Sequence, residues 1–208
     1  MIYSRLLAII LFFFTAIPAF AEVFPIKLSY KDGIDFVDEV IDQNKSISTI
    51  LKSIDSLQEK HFTSFQEYSD FLIYAEKRLS PKYESDIIDF TFKISEFFHK
   101  NNVHQNAFIY LKKTLRLVDL YPEKSKNIPL AILHEDLGLT YYYFKRYDLS
   151  SEYLYKALQQ HDIEGNTRIN IFNTIGMIHR ERMQADSAKF YFEKALVIAK
   201  KNKRRDWV

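Results

Sequence analysis

One spacing of small and bulky apolar residues occurs twice between Leu137 and Leu196, and it constrains the fold more than any other feature of the chain. Gly138 and Gly176 are 38 positions apart, and so are Ala157 and Ala195. This agreement is hard to obtain by chance in a chain with only 4 glycines. A fixed repeat period of this length is typical of proteins built from stacked helical units.

The composition favours helices over strands. The 208-residue chain has 4 Gly and 5 Pro, which is too few for the frequent turns of an all-β protein, and its 47% hydrophobic residues are sufficient for a core. We therefore predict an all-α fold. The formal charge of +2 is too small to indicate a nucleic-acid partner. The absence of cysteine excludes disulfides, thiolate metal sites and cysteine nucleophiles.

The two copies carry the same kinds of residue in the same order. Leu137-Gly138 leads to Tyr141, Tyr147, Leu154 and Ala157, and Ile175-Gly176 leads to His179, Ala188, Phe192 and Ala195. This pattern resembles the tetratricopeptide repeat (TPR). The resemblance extends over residues 84–200 and, more weakly, over 46–80. It implies a right-handed superhelical solenoid of antiparallel helix pairs.

The repeat register predicts how the chain is divided. In the repeat before Gly138, Ile94-Ser95 takes the place of the Leu-Gly pair. The predicted segments are a secretory signal at 1–21, a lead-in and capping helix at 22–45, a degenerate repeat at 46–80, TPR-like repeats at 84–121, 127–162 and 165–200, and the start of a further segment at 201–208.

Three local signals set boundaries upstream of the clear repeats. Residues 22–33 have no helical period, so we expect an extended lead-in followed by a helix from Ile34. Ser64 and Glu67 have the spacing of a capping box and should open another helix. Pro81 should end that helix at Ser80, because a residue before proline is disfavoured in the helical region.

The N-terminal segment has the pattern of a secretory signal. Arg5 supplies a positive start, an apolar run covers residues 6–17, and Ala19-Phe20-Ala21 offers small residues to a signal peptidase. We expect cleavage after Ala21 and a periplasmic or otherwise extracytoplasmic location. The alternative is a retained N-terminal anchor, although the run is shorter than the roughly 20 residues that span a bilayer. We expect contact with a membrane only through this segment or through a missing C-terminal part.

Two groups of small residues are predicted to be structural. Gly138 and Gly176 lie inside predicted helices, where glycine costs about 1 kcal/mol relative to alanine. We therefore expect another helix to approach closely at these points. Ala157, Ala188 and Ala195 should serve the same purpose on the second helix of each repeat.

The resemblance implies that the first helix of each repeat lines a concave groove that binds a protein or peptide. The alternative for each groove residue is contact with the next helix or with solvent. Glu96, Leu139 and Met177 stand where carboxylate-clamp members carry lysine or asparagine, so a clamp partner is disfavoured. The candidate contacts implied by the resemblance are Phe92, Glu96, His99, Glu135, Leu139, Tyr142, Tyr143, Asn170, Asn173, Met177 and Arg180.

No motif predicts catalysis, a metal or a cofactor. The 6 histidines include no pair at i+3 or i+4, and the chain has no glycine-rich phosphate loop, nucleophile elbow or convincing pair of carboxylates. The basic run at 200–205 suits the negative end of a helix dipole. We predict a protein that is not an enzyme and has no cofactor.

Two hypotheses for function follow. The first is an exported scaffold that binds a protein or peptide, whose identity the sequence does not specify. The second is a periplasmic sensory ectodomain of a longer membrane-bound signalling or transcriptional regulator, because no capping helix is evident after the last repeat. A reading frame that continues into an apolar span would favour the second hypothesis, and a stop codon after Val208 would favour the first.

Overall fold

The computed structural model describes residues 27–43, 46–161 and 163–202. The predicted secretory signal with its cleavage position, residues 22–26 of the lead-in and residues 203–208 lie outside these ranges. Within them, nine α-helices are present, and the predicted all-α fold class is confirmed. They are α1 (Tyr30–Asp42), α2 (Ile47–Asp55), α3 (Phe65–Tyr83), α4 (Ile88–Lys100), α5 (His104–Leu120), α6 (Leu130–Tyr143), α7 (Tyr147–Leu158), α8 (Gly165–Glu181) and α9 (Ala185–Lys201).

Short 3-10 helices at Glu59–His61 and Pro122–Lys124 complete the regular elements of the described ranges. None of the described helices is both long enough and apolar enough to cross a membrane. The chain divides into two compact units, with the boundary inside α3 after Arg78.

In the first unit, α1 begins earlier than predicted. The Ser29 hydroxyl accepts a hydrogen bond from the Asp32 N–H at 3.3 Å, and the Asp32 carboxylate accepts one from the Ser29 N–H at 2.8 Å. This capping box starts the helix at Tyr30, so the prediction of an extended lead-in as far as Gly33 is wrong. Gly33 lies inside α1, where a Cβ atom would be 2.8 Å from Cδ2 of Phe71.

The start and end of α3 also differ from the predictions in detail. The Ser64 hydroxyl accepts a hydrogen bond from the Glu67 N–H at 3.2 Å, but the Glu67 carboxylate binds the hydroxyl of Thr63 and does not complete a capping box. The prediction that Pro81 ends the helix is wrong, because α3 continues to Tyr83 with Pro81 inside it. Tertiary packing accounts for this continuation, since Leu79 is fully buried one turn before the helix ends.

The second unit consists of three helical hairpins, α4/α5, α6/α7 and α8/α9. The helices of a hairpin are joined by a three-residue turn, so they run antiparallel. Each hairpin contributes fully buried apolar side chains to the core. Examples are Ile94, Phe98, Leu111, Leu133, Leu137, Leu154, Ile171, Ile175 and Ile178.

The three hairpin turns have one backbone geometry. Asn102, Lys145 and Met183 adopt positive φ angles of 59°, 57° and 59°. Their N–H groups bond to the carbonyl three residues back at 3.0, 2.8 and 2.9 Å, and the next N–H bonds five residues back at 2.9 Å in every turn. This is the Schellman motif, in which the left-handed residue is usually glycine. Each of the three residues follows the small residue of its own repeat by seven positions, so the backbone repeats in the register of the sequence.

The small residues lie at helix contacts within each hairpin. A Cβ atom at Gly138 would be 2.6 Å from Cγ of Leu154, and one at Gly176 would be 2.7 Å from Cε1 of Phe192. The closest atoms therefore belong to a side chain of the second helix, with the Leu154 backbone nitrogen farther away at 3.3 Å. The three alanines assigned to packing are all buried. They are Ala157, Ala188 and Ala195.

Contacts between neighbouring hairpins arrange the helices in two layers. In the first-helix layer, made of α4, α6 and α8, the His99 ring lies 3.6 Å from the Asp136 carboxylate, and Glu135 interacts with Asn170. In the second-helix layer, made of α5, α7 and α9, the hydroxyls of Tyr155 and Tyr191 are 2.9 Å apart. Equivalent helices of successive repeats are therefore neighbours in space.

Candidate functional site

The eleven candidate contacts belong to α4, α6 and α8, and two pairs of them join neighbouring helices. Glu135 interacts with Asn170, and Tyr142 lies near the charged groups of Glu181 and Arg180. We call the side of the first-helix layer that carries the candidates the first-helix face. Because two pairs bridge α6 and α8, the face is continuous across the second and third hairpins.

Two candidates are buried. Phe92 and Glu135 are each 6% exposed, so their side chains offer little surface to a ligand. Phe92 belongs to the core, and Glu135 forms an internal contact between helices. The other nine are half-buried or exposed. They are Glu96, His99, Leu139, Tyr142, Tyr143, Asn170, Asn173, Met177 and Arg180.

Glu135 is a buried carboxyl group held between α6 and α8. Burial raises its pKa to about 7, against the opposing effect of hydrogen bonds from Asn170 and Thr167. Thr167 is itself buried and was not identified from the sequence. The polar run at residues 134–136, between two apolar segments of α6, is the sequence signal that could have identified this contact.

Asp136 is also a buried carboxyl group. Unlike Glu135, it is not among the contacts predicted from the sequence. Burial raises its pKa well above the usual value, and the charges of Glu135 and Glu96 add to this effect. Burial lowers the pKa of His99, and the charge of His104 lowers it further. The 3.6 Å contact between His99 and Asp136 is longer than a hydrogen bond, and burial favours the neutral form of both groups. We therefore do not regard this pair as a strong salt bridge.

Aromatic side chains lie at one end of the first-helix face. The ring of Tyr143 stacks on His104, with 3.9 Å between ring centroids and 19° between ring planes, and 47% of Tyr143 remains exposed. Tyr142 is half-buried, and its ring lies 5.8 Å from that of Tyr147. An exposed aromatic ring that is already held in place loses little conformational freedom on binding, which makes Tyr143 a suitable anchor for a ligand.

Two further observations concern metal binding and small-molecule binding in the described part of the chain. No group of three His, Cys, Asp or Glu residues there could hold a metal ion. A hollow of about 180 Å³ beside Ile88 is lined by Ser85, Asp86, Asp89 and Lys124. In that hollow the Lys124 amine pairs with the Asp86 carboxylate at 2.5 Å. The Ser85 hydroxyl also donates a hydrogen bond to the Asp86 carboxylate, at 3.4 Å.

The repeated antiparallel helix pairs define a TPR-like helical-repeat fold. The chain is similar to the crystal structure of MamA, a TPR-like helical protein, with 17% sequence identity and a TM-score of 0.55. The similarity covers 84% of this chain and 91% of the MamA chain. No protein-family model and no curated protein matches the sequence.

Proposed function

We propose that this protein is a non-enzymatic scaffold that binds a protein or peptide on the first-helix face of its second unit. The observation that carries the proposal is the set of accessible side chains on α6 and α8. Leu139 and Met177 occupy the same repeat position, 38 residues apart, and both are half-buried. Partly accessible apolar side chains on adjacent helices favour contact with apolar side chains of a partner.

Polar groups of the same face could orient such a partner. Asn170 and Asn173 are half-buried, and a side-chain amide can both donate and accept hydrogen bonds. An extended peptide presents backbone N–H and C=O groups that need such partners. Tyr143 adds an exposed aromatic anchor at one end of the same face. The TPR-like fold supports this proposal, because it is a fold of protein-interaction scaffolds.

Selection of peptides on the full chain tests the proposal. Random dodecapeptides displayed on phage would be selected against the wild-type protein, and their affinities would be measured by fluorescence anisotropy. Met177→Glu places a charge on the first-helix face and should weaken binding about tenfold or more, equal to about 1.4 kcal/mol. Circular dichroism would establish that the variant remains helical.

Val197→Glu is the matched control, because it makes the same kind of change at a residue of α9 that is 66% exposed and lies outside the first-helix face. Its affinity for the selected peptides should equal that of the wild type. Failure to select any peptide would contradict the proposal, as would peptides that bind Met177→Glu as tightly as the wild type.

We also propose that the protein is exported, on the basis of Arg5, the apolar run at 6–17 and the small residues at 19–21. The mass of the N-terminus after expression in a bacterium tests this. Protein that begins at Glu22 in the extracytoplasmic fraction is the expected result. Protein with Met1 intact in the cytoplasm would contradict it.

A further inference from the structure

The three hairpin turns lie side by side along one edge of the second unit. We define this turn edge as residues 100–104, 143–148 and 180–186. The first two turns are joined by the stacked rings of His104 and Tyr143. The last two are joined by Arg182, whose guanidinium lies 2.6 Å from the Asp148 carboxylate. Contacts from turn to turn therefore make the edge one continuous surface.

Large apolar side chains are exposed along this edge. Tyr143 is 47% exposed, Phe144 is 40% exposed and Met183 is 94% exposed. Met183 also holds a left-handed backbone conformation, which favours glycine or asparagine. Neither core packing nor turn geometry requires a methionine there, and a group of exposed apolar side chains is typical of an interaction surface. Methionine is an adaptable contact residue on such surfaces.

The charge of the turn edge is positive. It carries five cations, Lys100, Lys145, Arg146, Arg180 and Arg182, against three carboxylates, Asp148, Glu181 and Asp186. Two of the carboxylates are engaged, since Asp148 pairs with Arg182 and Glu181 lies 3.4 Å from Arg180. Lys100, Lys145 and Arg146 are exposed and have no ion-pair partner among residues 27–43, 46–161 and 163–202.

We infer that the turn edge binds an acidic segment of a protein partner, one whose carboxylates are separated by aromatic or aliphatic side chains. This inference rests on the proposed protein-binding function. It extends the contact surface beyond the first-helix face, with which the turn edge shares Tyr143 and Arg180, and it adds a partner chemistry. Exposed ion pairs are individually weak and are screened by salt. The apolar side chains therefore supply most of the affinity, and the unpaired cations supply the preference for acidic sequences.

The double variant Lys145→Asn with Arg146→Gln tests the inference without disturbing the turn. It removes two unpaired cations, and asparagine accepts the left-handed conformation of residue 145 better than lysine does. Peptides selected on the full-length wild-type chain should be enriched in Asp or Glu next to Phe, Tyr, Leu or Met. Their affinity should fall about tenfold in the double variant and should fall with rising salt.

A control removes the same charge elsewhere. Lys189 and Lys200 are exposed residues of α9 outside the turn edge, and Lys189→Gln with Lys200→Gln should leave the affinity unchanged. Selected peptides without acidic enrichment would overturn the inference, as would failure to select any peptide. Equal weakening by both double variants would also overturn it, because net charge alone would then explain the effect.

The remaining outcomes separate this inference from the proposed function. Peptides that bind less tightly to Met177→Glu but equally to the Lys145/Arg146 variant would support the first-helix face and overturn the turn edge. Peptides whose affinity neither variant changes would contradict both the first-helix face and the turn edge as binding surfaces. Co-sedimentation with phosphatidylserine vesicles that requires Lys145 and Arg146, in the absence of selected peptides, would assign the edge to an anionic lipid surface and overturn the inference.

Discussion

At the scale of single residues, Gly138 is fixed by the side chain opposite it. A Cβ atom added at Gly138 would lie only 2.6 Å from Cγ of Leu154. Gly138→Ala improves helix propensity by about 1 kcal/mol, but it forces a branched side chain to move in a packed core. We expect a net loss of about 1–3 kcal/mol in the free energy of unfolding, measured by urea titration with circular dichroism.

A double-mutant cycle with Leu154→Ala provides the control. Leu154→Ala alone should destabilise the protein by leaving a cavity, and the added Cβ of Gly138→Ala should then find space. The double variant should therefore lose less free energy of unfolding than the sum of the losses in the two single variants. A Gly138→Ala variant that is more stable than the wild type would show that helix propensity outweighs this contact.

The left-handed turn residues lead to a prediction of the opposite sign. Lys145 and Met183 adopt φ angles of 57° and 59°, where a Cβ atom is unfavourable. Met183→Gly and Lys145→Gly should each raise the free energy of unfolding by about 1 kcal/mol. Met183→Ala should bring no such gain, because it keeps the Cβ atom. Lower melting temperatures for both glycine variants would mean that the side chains make stabilising contacts.

At this scale the sequence predicts the packing residues better than the accessible contact residues. The repeat register located Gly138 and Gly176, because helix packing constrains the volume at those positions. It placed Phe92 and Glu135 among the accessible contacts, although both are buried. Burial of a single side chain depends on the angle between neighbouring hairpins, and a one-dimensional pattern does not contain that angle.

At the scale of elements, Glu135 links α6 to α8 and should make stability depend on pH. Its pKa in the folded protein is about 7, above the value of 4.5 for an unperturbed Glu. Between these values the folded state binds more protons than the unfolded state, so the free energy of unfolding falls as pH rises. The raised pKa of Asp136 acts in the same direction. The lowered pKa values of His99 and His134 act in the opposite direction.

Comparison with Glu135→Gln isolates the contribution of Glu135 from that of the other groups. The variant should be more stable than the wild type at about pH 8, by on the order of 2 kcal/mol, and the difference should vanish near pH 4. Thermal unfolding measured across this pH range checks the expectation. A difference that does not vary with pH would mean that the carboxyl group is better solvated than its burial indicates.

The start of α1 and the end of α3 show which helix boundaries a local sequence signal can predict. Ser29 and Asp32 have capping-box spacing, so the sequence contains a local signal for the start of α1 at Tyr30. The continuation of α3 through Pro81 cannot be predicted from the local sequence, because proline in a helix is unfavourable unless tertiary contacts compensate. The predicted export signal and the predicted domain boundaries remain predictions.

At the scale of the whole molecule, the second unit is a set of equivalent hairpins. Its first-helix layer and its second-helix layer can have different roles. Packing between equivalent helices determines the fold, and it leaves a repeated spacing in the sequence. In the proposed function, recognition depends on accessible side chains such as Leu139, Asn173 and Met177, which are half-buried and not part of the fully buried core. The fold could therefore be predicted from this sequence, whereas the partner could not.

Nuclear magnetic resonance titration with a selected peptide tests binding to the first-helix face most directly. In ¹H–¹⁵N spectra of the full chain, the largest shift changes should fall on Leu139, Asn173 and Met177 and on their neighbours in α6 and α8. Lys112, Lys156 and Val197 in the second-helix layer should change little. Changes concentrated in α5, α7 and α9, or no saturable change with any selected peptide, would contradict the proposed binding face.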